Sequence, residues 1–170
     1  MTSIIKNLVT DTFKNSPSQL MVVKKMLFYG LSVKEGRIFC NDVEINNKSL
    51  AKACGVDQRV VKSVIKTISS DEELSKIFSS LESSINLKEV ANKIGFGVLE
   101  ISAFDPKEPG IIAAVSTIIA QHGINIRQAI VEDPEFIEEP RLYIITEEII
   151  PGEIIPKIKN LKNIKSIKIL

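Results

Sequence analysis

Residues 98–129 read VLEISAFDPKEPGIIAAVSTIIAQHGINIRQA, and the spacing of their apolar residues decides the fold of the C-terminal half. Val98, Glu100, Ser102 and Phe104 alternate with Leu99, Ile101 and Ala103, the period of a partly buried strand. Asp105 opens a proline-containing loop. Beyond Gly110, Ile111, Ile112, Val115, Ile118 and Ile119 recur at helical spacing and make one broad apolar face. Gly123 ends that helix, and Ile124 to Val131 reads as a second strand. Strand, helix and strand within about thirty residues make a crossover unit.

The remaining residues repeat the unit. Glu132 to Pro140, EDPEFIEEP, is an acidic turn region, and Arg141 to Thr146, RLYIIT, is a strand. Pro151-Gly152 starts a helical segment on which Ile154, Ile158 and Leu161 align, and Ile164, Ile167 and Ile169 lie in a terminal strand. Pro156 fits that helix only in its first turn, so the helix is kinked or begins late. The order βαββαβ builds one four-stranded sheet with both helices on one side, a ferredoxin-like arrangement.

With Pro109-Gly110 before its first helix and Gly123-Ile124-Asn125-Ile126 after it, the segment from Val98 to Leu170 resembles the ACT family of small-molecule regulatory domains. The resemblance implies an amino-acid sensor that dimerises, with residues 98–170 forming a homodimer or higher homo-oligomer. It also implies an effector site, commonly at a subunit interface, at Pro109, Gly110, Ile111, Ile112, Asn125 and Ile126. An aspartate often found in the family two residues before the Pro-Gly pair is Lys107 here, with Asp105 two residues earlier. The residue types suit the role: Gly110 allows close backbone approach, and unpaired amides at a helix start receive a carboxylate. Asn125 offers both a donor and an acceptor to a small zwitterion or to neighbouring backbone. The same residues also serve as ordinary cap and turn chemistry.

The N-terminal half reads as helices. Ile4, Leu8 and Phe13 share a face of a first helix. Ser16-Pro17-Ser18-Gln19 has the form of a capping box with proline at the first turn, followed by a stripe of Leu20, Val23, Leu27 and Phe28 that stops at Gly30. RIFCNDVEI, Arg37 to Ile45, suggests two short extended segments around the turn-prone Asn41-Asp42. In NNKSLAKACGVDQRVVKSVIKTI, Asn47 can cap a helix carrying Leu50, Ala51 and Cys54. Gly55 supplies a left-handed stop, and Asp57 caps a second helix carrying Val60, Val61, Val64, Ile65 and Ile68. Small Ala51 permits close crossing, which suits a helix-turn-helix. The segment resembles the helix-turn-helix regulators of bacteria and archaea.

On the outward face of that second helix stand Gln58, Arg59, Lys62, Ser63 and Lys66. Gln58, Arg59 and Ser63 are candidate base readers of double-stranded DNA, and Lys62 and Lys66 candidate phosphate contacts. A solvated basic face of a helix with no nucleic-acid partner has the same composition. Ser70 or Asp71 starts a further short helix over Leu74, Ile77 and Phe78, and Asn86 can cap another through Val90, Ala91 and Ile94.

The expected class is therefore α+β: a mainly helical, winged-helix-like or helix-turn-helix domain at residues 1–78, a helical connector at 79–97, and a ferredoxin-like domain at 98–170. Across 170 residues, 44% hydrophobic and 25% charged, global disorder is excluded. No apolar run approaches the roughly 18 residues of a membrane span, and MTSIIKNLV lacks the form of a secretory leader, so the expectation is a cytoplasmic chain with no membrane partner. Residues 1–80 hold twelve Lys and Arg against eight Asp and Glu, and residues 98–170 hold eight against eleven.

Two cysteines, Cys40 and Cys54, and one histidine, His122, supply neither a disulfide scaffold nor a cysteine-histidine zinc site. His122 reads as a surface residue favoured by a helix end. No phosphate-binding glycine loop, dinucleotide fingerprint or HExxH stands in the chain. Glu132, Asp133, Glu135, Glu138 and Glu139 are too irregularly spaced to read as a metal site. Neither catalytic residues, a metal nor a cofactor is expected, and an independent enzyme ranks last. The function expected is an amino-acid-responsive transcriptional regulator of amino acid metabolism. The alternative is an amino-acid-sensing interaction protein that binds and regulates a biosynthetic enzyme, without DNA binding.

Overall fold

A computed structural model describes residues 4–134 and 137–170; the side chain of Ile4 and the whole of Glu135 lie outside the described residues. The chain divides into two compact units, residues 1–85 and 86–170. The class is α+β, helical first and βαββαβ second.

The first unit runs α1 (Ile4–Phe13), α2 (Pro17–Tyr29), β1 (Ser32–Lys34), β2 (Arg37–Cys40), β3 (Val43–Ile45), α3 (Asn47–Cys54), α4 (Gln58–Ser70) and α5 (Glu72–Ser79). The three strands form an antiparallel sheet in chain order. One core unites Phe13, Val23, Met26, Ile38, Val61, Val64, Ile68 and Phe78. The apolar stripe of α2 is rotated from the expected one: Val22, Val23 and Met26 are buried, whereas Phe28 is 72% exposed. Nor does the capping box form. The Ser16 side chain makes no cap hydrogen bond, and the Gln19 amide instead donates to Ser63 Oγ of α4 at 3.1 Å.

The connection between α3 and α4 follows the expected chemistry with one correction. Asn46, not Asn47, caps α3, its side chain accepting from the Ser49 amide at 2.8 Å. Gly55 takes the left-handed φ of 64° that ends α3, and Val56 N donates back to Ala51 O at 3.0 Å. Asp57 caps α4 through Arg59 N at 2.8 Å.

The stretch expected as a helical connector holds only a 3-10 turn at Ala91–Ile94. Residues 81–87 are irregular, because their polar side chains and backbone bond elsewhere. Asn41 takes both backbone groups of Ser83, and Asn86 Oδ1 accepts from Lys88 N at 3.0 Å in place of capping a helix.

The second unit contains β4 (Gly97–Ala103), α6 (Ile111–Gln121), β5 (Ile126–Val131), β6 (Arg141–Thr146), α7 (Ile154–Lys159) and β7 (Ile164–Ile169). The sheet order β5-β6-β4-β7, with every neighbouring pair antiparallel, is the ferredoxin-like arrangement. Leu99, Ile101, Leu142 and Ile144 pack against Val115 and Ile119 of α6 and Ile154 and Ile158 of α7. α7 begins late, placing Pro156 in its first turn, where the missing N–H costs nothing. The opposite sheet face has its own small core, in which Val98 and Ile145 meet Ala91, Leu87 and Phe96. His122 is half-buried and links the two helices: its Nδ1 lies 2.7 Å from Ile118 O and its Nε2 2.7 Å from Lys157 Nζ. A carbonyl only accepts, so Nδ1 carries the proton and Nε2 accepts from the lysine.

Candidate functional site

A cavity of about 520 Å³ lies where the loop after β4 turns into α6. Pro106, Pro109, Gly110, Ile111, Ile112 and Ala113 of the loop and helix start line one wall, and Ile101, Ala103, Val131 and Leu142 of the sheet another. Its lining is mostly apolar, with Glu108, Glu132 and Arg141 as its charged residues, and its size falls within the range of small-molecule sites, about 300–1,000 Å³.

The local sequence builds the α6 wall of this cavity. Gly110 has a φ of 93°, a conformation that costs an L side chain about 1–2 kcal/mol, and it turns the loop into α6. A Cβ placed on it meets no atom within 4 Å, so the space over its backbone is open. No side chain caps α6, and the amides of Ile111, Ile112 and Ala113 have no hydrogen-bond partner among the described residues. These three donors carry the positive end of the helix dipole.

Four of the six expected effector residues, Pro109, Gly110, Ile111 and Ile112, are thus brought together in one cavity wall. Ile112 departs from the expected buried face of α6 and is 44% exposed. Asn125 and Ile126 are not brought there. Asn125 O accepts from Glu147 N at 3.1 Å, and Ile126 pairs with Thr146 at the start of β5, about 17 Å along the strand from Val131 at a strand rise of about 3.4 Å per residue. The far wall, Ile101, Val131 and Leu142, comes from pairings between distant strands and carries no local sequence signal.

At the β5–β6 end of the cavity, Glu132 closes the ladder: its N donates to Arg141 O at 2.9 Å and its Oε2 accepts from Arg141 N at 3.1 Å. The Arg141 guanidinium is paired with Glu100, whose charge holds it firmly protonated. Burial pushes the Tyr143 hydroxyl above its ordinary value, and Lys88 Nζ lies 4.5 Å from its ring centre.

In the first unit, Gln58, Arg59, Lys62, Ser63 and Lys66 all stand exposed on α4. Arg59 folds back on Asp57, with Nε 3.1 Å from Oδ1, and Ser63 accepts from Gln19. Lys62 and Lys66 have no acidic partner among the described residues. The Arg59 hydrogen bonds, backbone first, hold the Asp57 carboxyl below the usual carboxylate range. Cys54 is buried, which pushes its thiol up against the opposing influence of Lys25. Among the described residues no group of three or more His, Cys, Asp and Glu side chains converges as metal ligands, and no helix is long and apolar enough to cross a membrane.

No family model matches this chain, and no curated protein matches it. Among solved structures it is similar to a transcriptional regulatory protein from Pyrococcus furiosus, a member of the AsnC family, at 11% identity and a TM-score of 0.26, over 100% of this chain and 88% of that one. At that TM-score the likeness carries no functional weight.

Proposed function

We propose that this protein is an amino-acid-responsive transcriptional regulator, reading duplex DNA through α4 and an amino acid through the cavity behind Pro109-Gly110, and assembling as a homodimer or higher homo-oligomer through residues 98–170. The observation that carries the reading is the pairing of that apolar cavity with the uncapped start of α6. Three unpartnered amides suit a carboxylate, and the Ile101, Val131 and Leu142 wall suits an uncharged side chain. In the first unit, the tight α3–Gly55–α4 turn presents Gln58, Lys62 and Lys66 outward, the arrangement a major-groove reader needs. β5 is an edge strand whose Val131 is 54% exposed, a surface suited to a second copy.

Calorimetric titration of the full chain with each common amino acid tests the cavity. One is expected to bind, and at 100 times its Kd to raise stability by about 2.7 kcal/mol. Ile112→Glu keeps the fold, since residue 112 is exposed and acids suit a first helical turn, yet it repels a carboxylate and is expected to abolish the titration heat. Absence of any binding amino acid, or unchanged binding by Ile112→Glu, overturns this assignment.

A specific observation favours a second reading, the enzyme-docking regulator. Phe28 and Tyr29, 72% and 53% exposed, pack edge to face with ring centres 5.0 Å apart on the surface of α2. Exposed aromatics of this kind suit a protein partner. Capture of a biosynthetic enzyme without duplex binding, lost on Phe28→Ser, would favour it.

A further inference from the structure

A second, shallower depression of about 410 Å³ lies in the first unit, between the tip of the β1–β2 hairpin and the basic side of α4. Gly36 reaches it from the hairpin turn, Asn47 from the first position of α3, and Lys62, Lys66, Ser69 and Ser70 from successive turns of α4. The two lysines are four residues apart on one helix face, where like charges repel. Neither is neutralised by an acid among the described residues. Two hydroxyls and an amide stand beside them, and Gly36 adds bare backbone at the rim. Two cations with several neutral donors around an open notch match a tetrahedral anion with many acceptor oxygens better than a planar carboxylate.

We infer that this notch is a phosphate-binding site made jointly by the hairpin tip, the start of α3 and the face of α4 from Lys62 to Ser70, and that its occupant is a backbone phosphate of the duplex. The inference rests on the nucleic-acid reading of α4. It extends that reading from one helix face to three elements, with Gly36, Asn47, Ser69 and Ser70 as contacts and the hairpin clamping the strand beside the groove. Because Arg59 and Ser63 are engaged with Asp57 and Gln19, Lys62 and Lys66 are the cations of the α4 face that have no acidic partner among the described residues, and backbone affinity depends on them.

The test is fluorescence anisotropy of a random-sequence duplex with the full chain across a KCl series, alongside thermal shift with inorganic phosphate at constant ionic strength. Lys62→Gln with Lys66→Gln removes the charges. Asn47→Asp places a carboxylate at the notch while keeping a residue favoured at a helix start, and Asn7→Asp makes the same charge change on α1. Loss of one phosphate contact lowers the slope of log affinity against log salt by about 0.9. That drop is expected for the lysine pair and for Asn47→Asp, and not for Asn7→Asp. Equal slopes for Asn47→Asp and Asn7→Asp would overturn the notch while duplex binding stands. Absence of duplex binding by the native chain would overturn the duplex as occupant; stabilisation by inorganic phosphate that Asn47→Asp abolishes would then keep the notch as a site for a free phosphorylated ligand. Neither duplex nor phosphate binding would overturn it outright.

Discussion

Asn41 holds the backbone of Ser83 with both ends of its amide: Nδ2 donates to Ser83 O at 3.0 Å, and Ser83 N donates to Oδ1 at 2.8 Å. Asn41 itself sits at a φ of 56° in the β2–β3 turn, where asparagine is among the few tolerated residues. One residue therefore makes the turn and fastens the chain where the first unit ends. Asn41→Gly keeps the turn and removes both hydrogen bonds. It is expected to cost about 1–2 kcal/mol in urea unfolding and to release the Ser83 amide to hydrogen exchange; an exchange rate unchanged from the native chain would contradict the clasp.

Gly97 begins β4 opposite Thr146. A Cβ there would lie 2.5 Å from Thr146 Oγ1 and 2.6 Å from Glu148 O; the first belongs to a buried side chain and the second to the backbone, so neither yields without moving the chain. Gly97→Ala is expected to destabilise the second unit by about 1–3 kcal/mol, whereas Gly152→Ala, with nothing within 4 Å, is expected to stay within about 0.5 kcal/mol of the native chain. Thermal unfolding of both variants checks the contrast, and equal midpoints would contradict the packing described.

The acid end of the stability profile carries the signature of the α4 cap. Hydrogen bonds from Arg59, backbone first, lower the Asp57 pKa in the folded chain, so protonation favours the unfolded state. The contribution is whole above the unfolded value of about 3.9 and disappears as pH falls through the lower folded value. Urea midpoints of the native chain and of Asp57→Ala are expected to differ by a constant amount near neutrality and to converge at the acid end. A gap that persists at the lowest pH would place the effect elsewhere.

Where sequence and structure agree, the governing chemistry is local. The stripe Val61, Val64, Ile65 and Ile68 and the stop at Gly55 are set by helical period and left-handed backbone, and both are legible in a single segment. The same holds for Pro156, whose ring geometry alone requires a late start to α7. The three-residue β1 is too short to show alternation, and its hairpin turn depends on positive φ at Glu35 as well as Gly36. Gln19 fits a capping box on paper, but Ser63 from a distant helix offers its side chain a partner. The candidate site divides in the same way. Pro109 to Ile112 form one continuous wall, legible from turn and cap chemistry, while Val131 and Leu142 reach the cavity through strand pairing. Asn125 lies at the far end of β5 for the same reason: the spacing of Gly123 to Ile126 says nothing about which end of the strand meets the loop.

The proposed regulator couples the cavity behind Pro109-Gly110 to the α4 face, and linkage makes that coupling measurable. Duplex affinity of the full chain, determined with and without saturating amounts of the amino acid found by calorimetry, is expected to change by about 5- to 150-fold, with the amino acid's own affinity changing by the same factor when duplex is bound. Duplex affinity that is identical in the two states, with the amino acid demonstrably bound, would rule that coupling out.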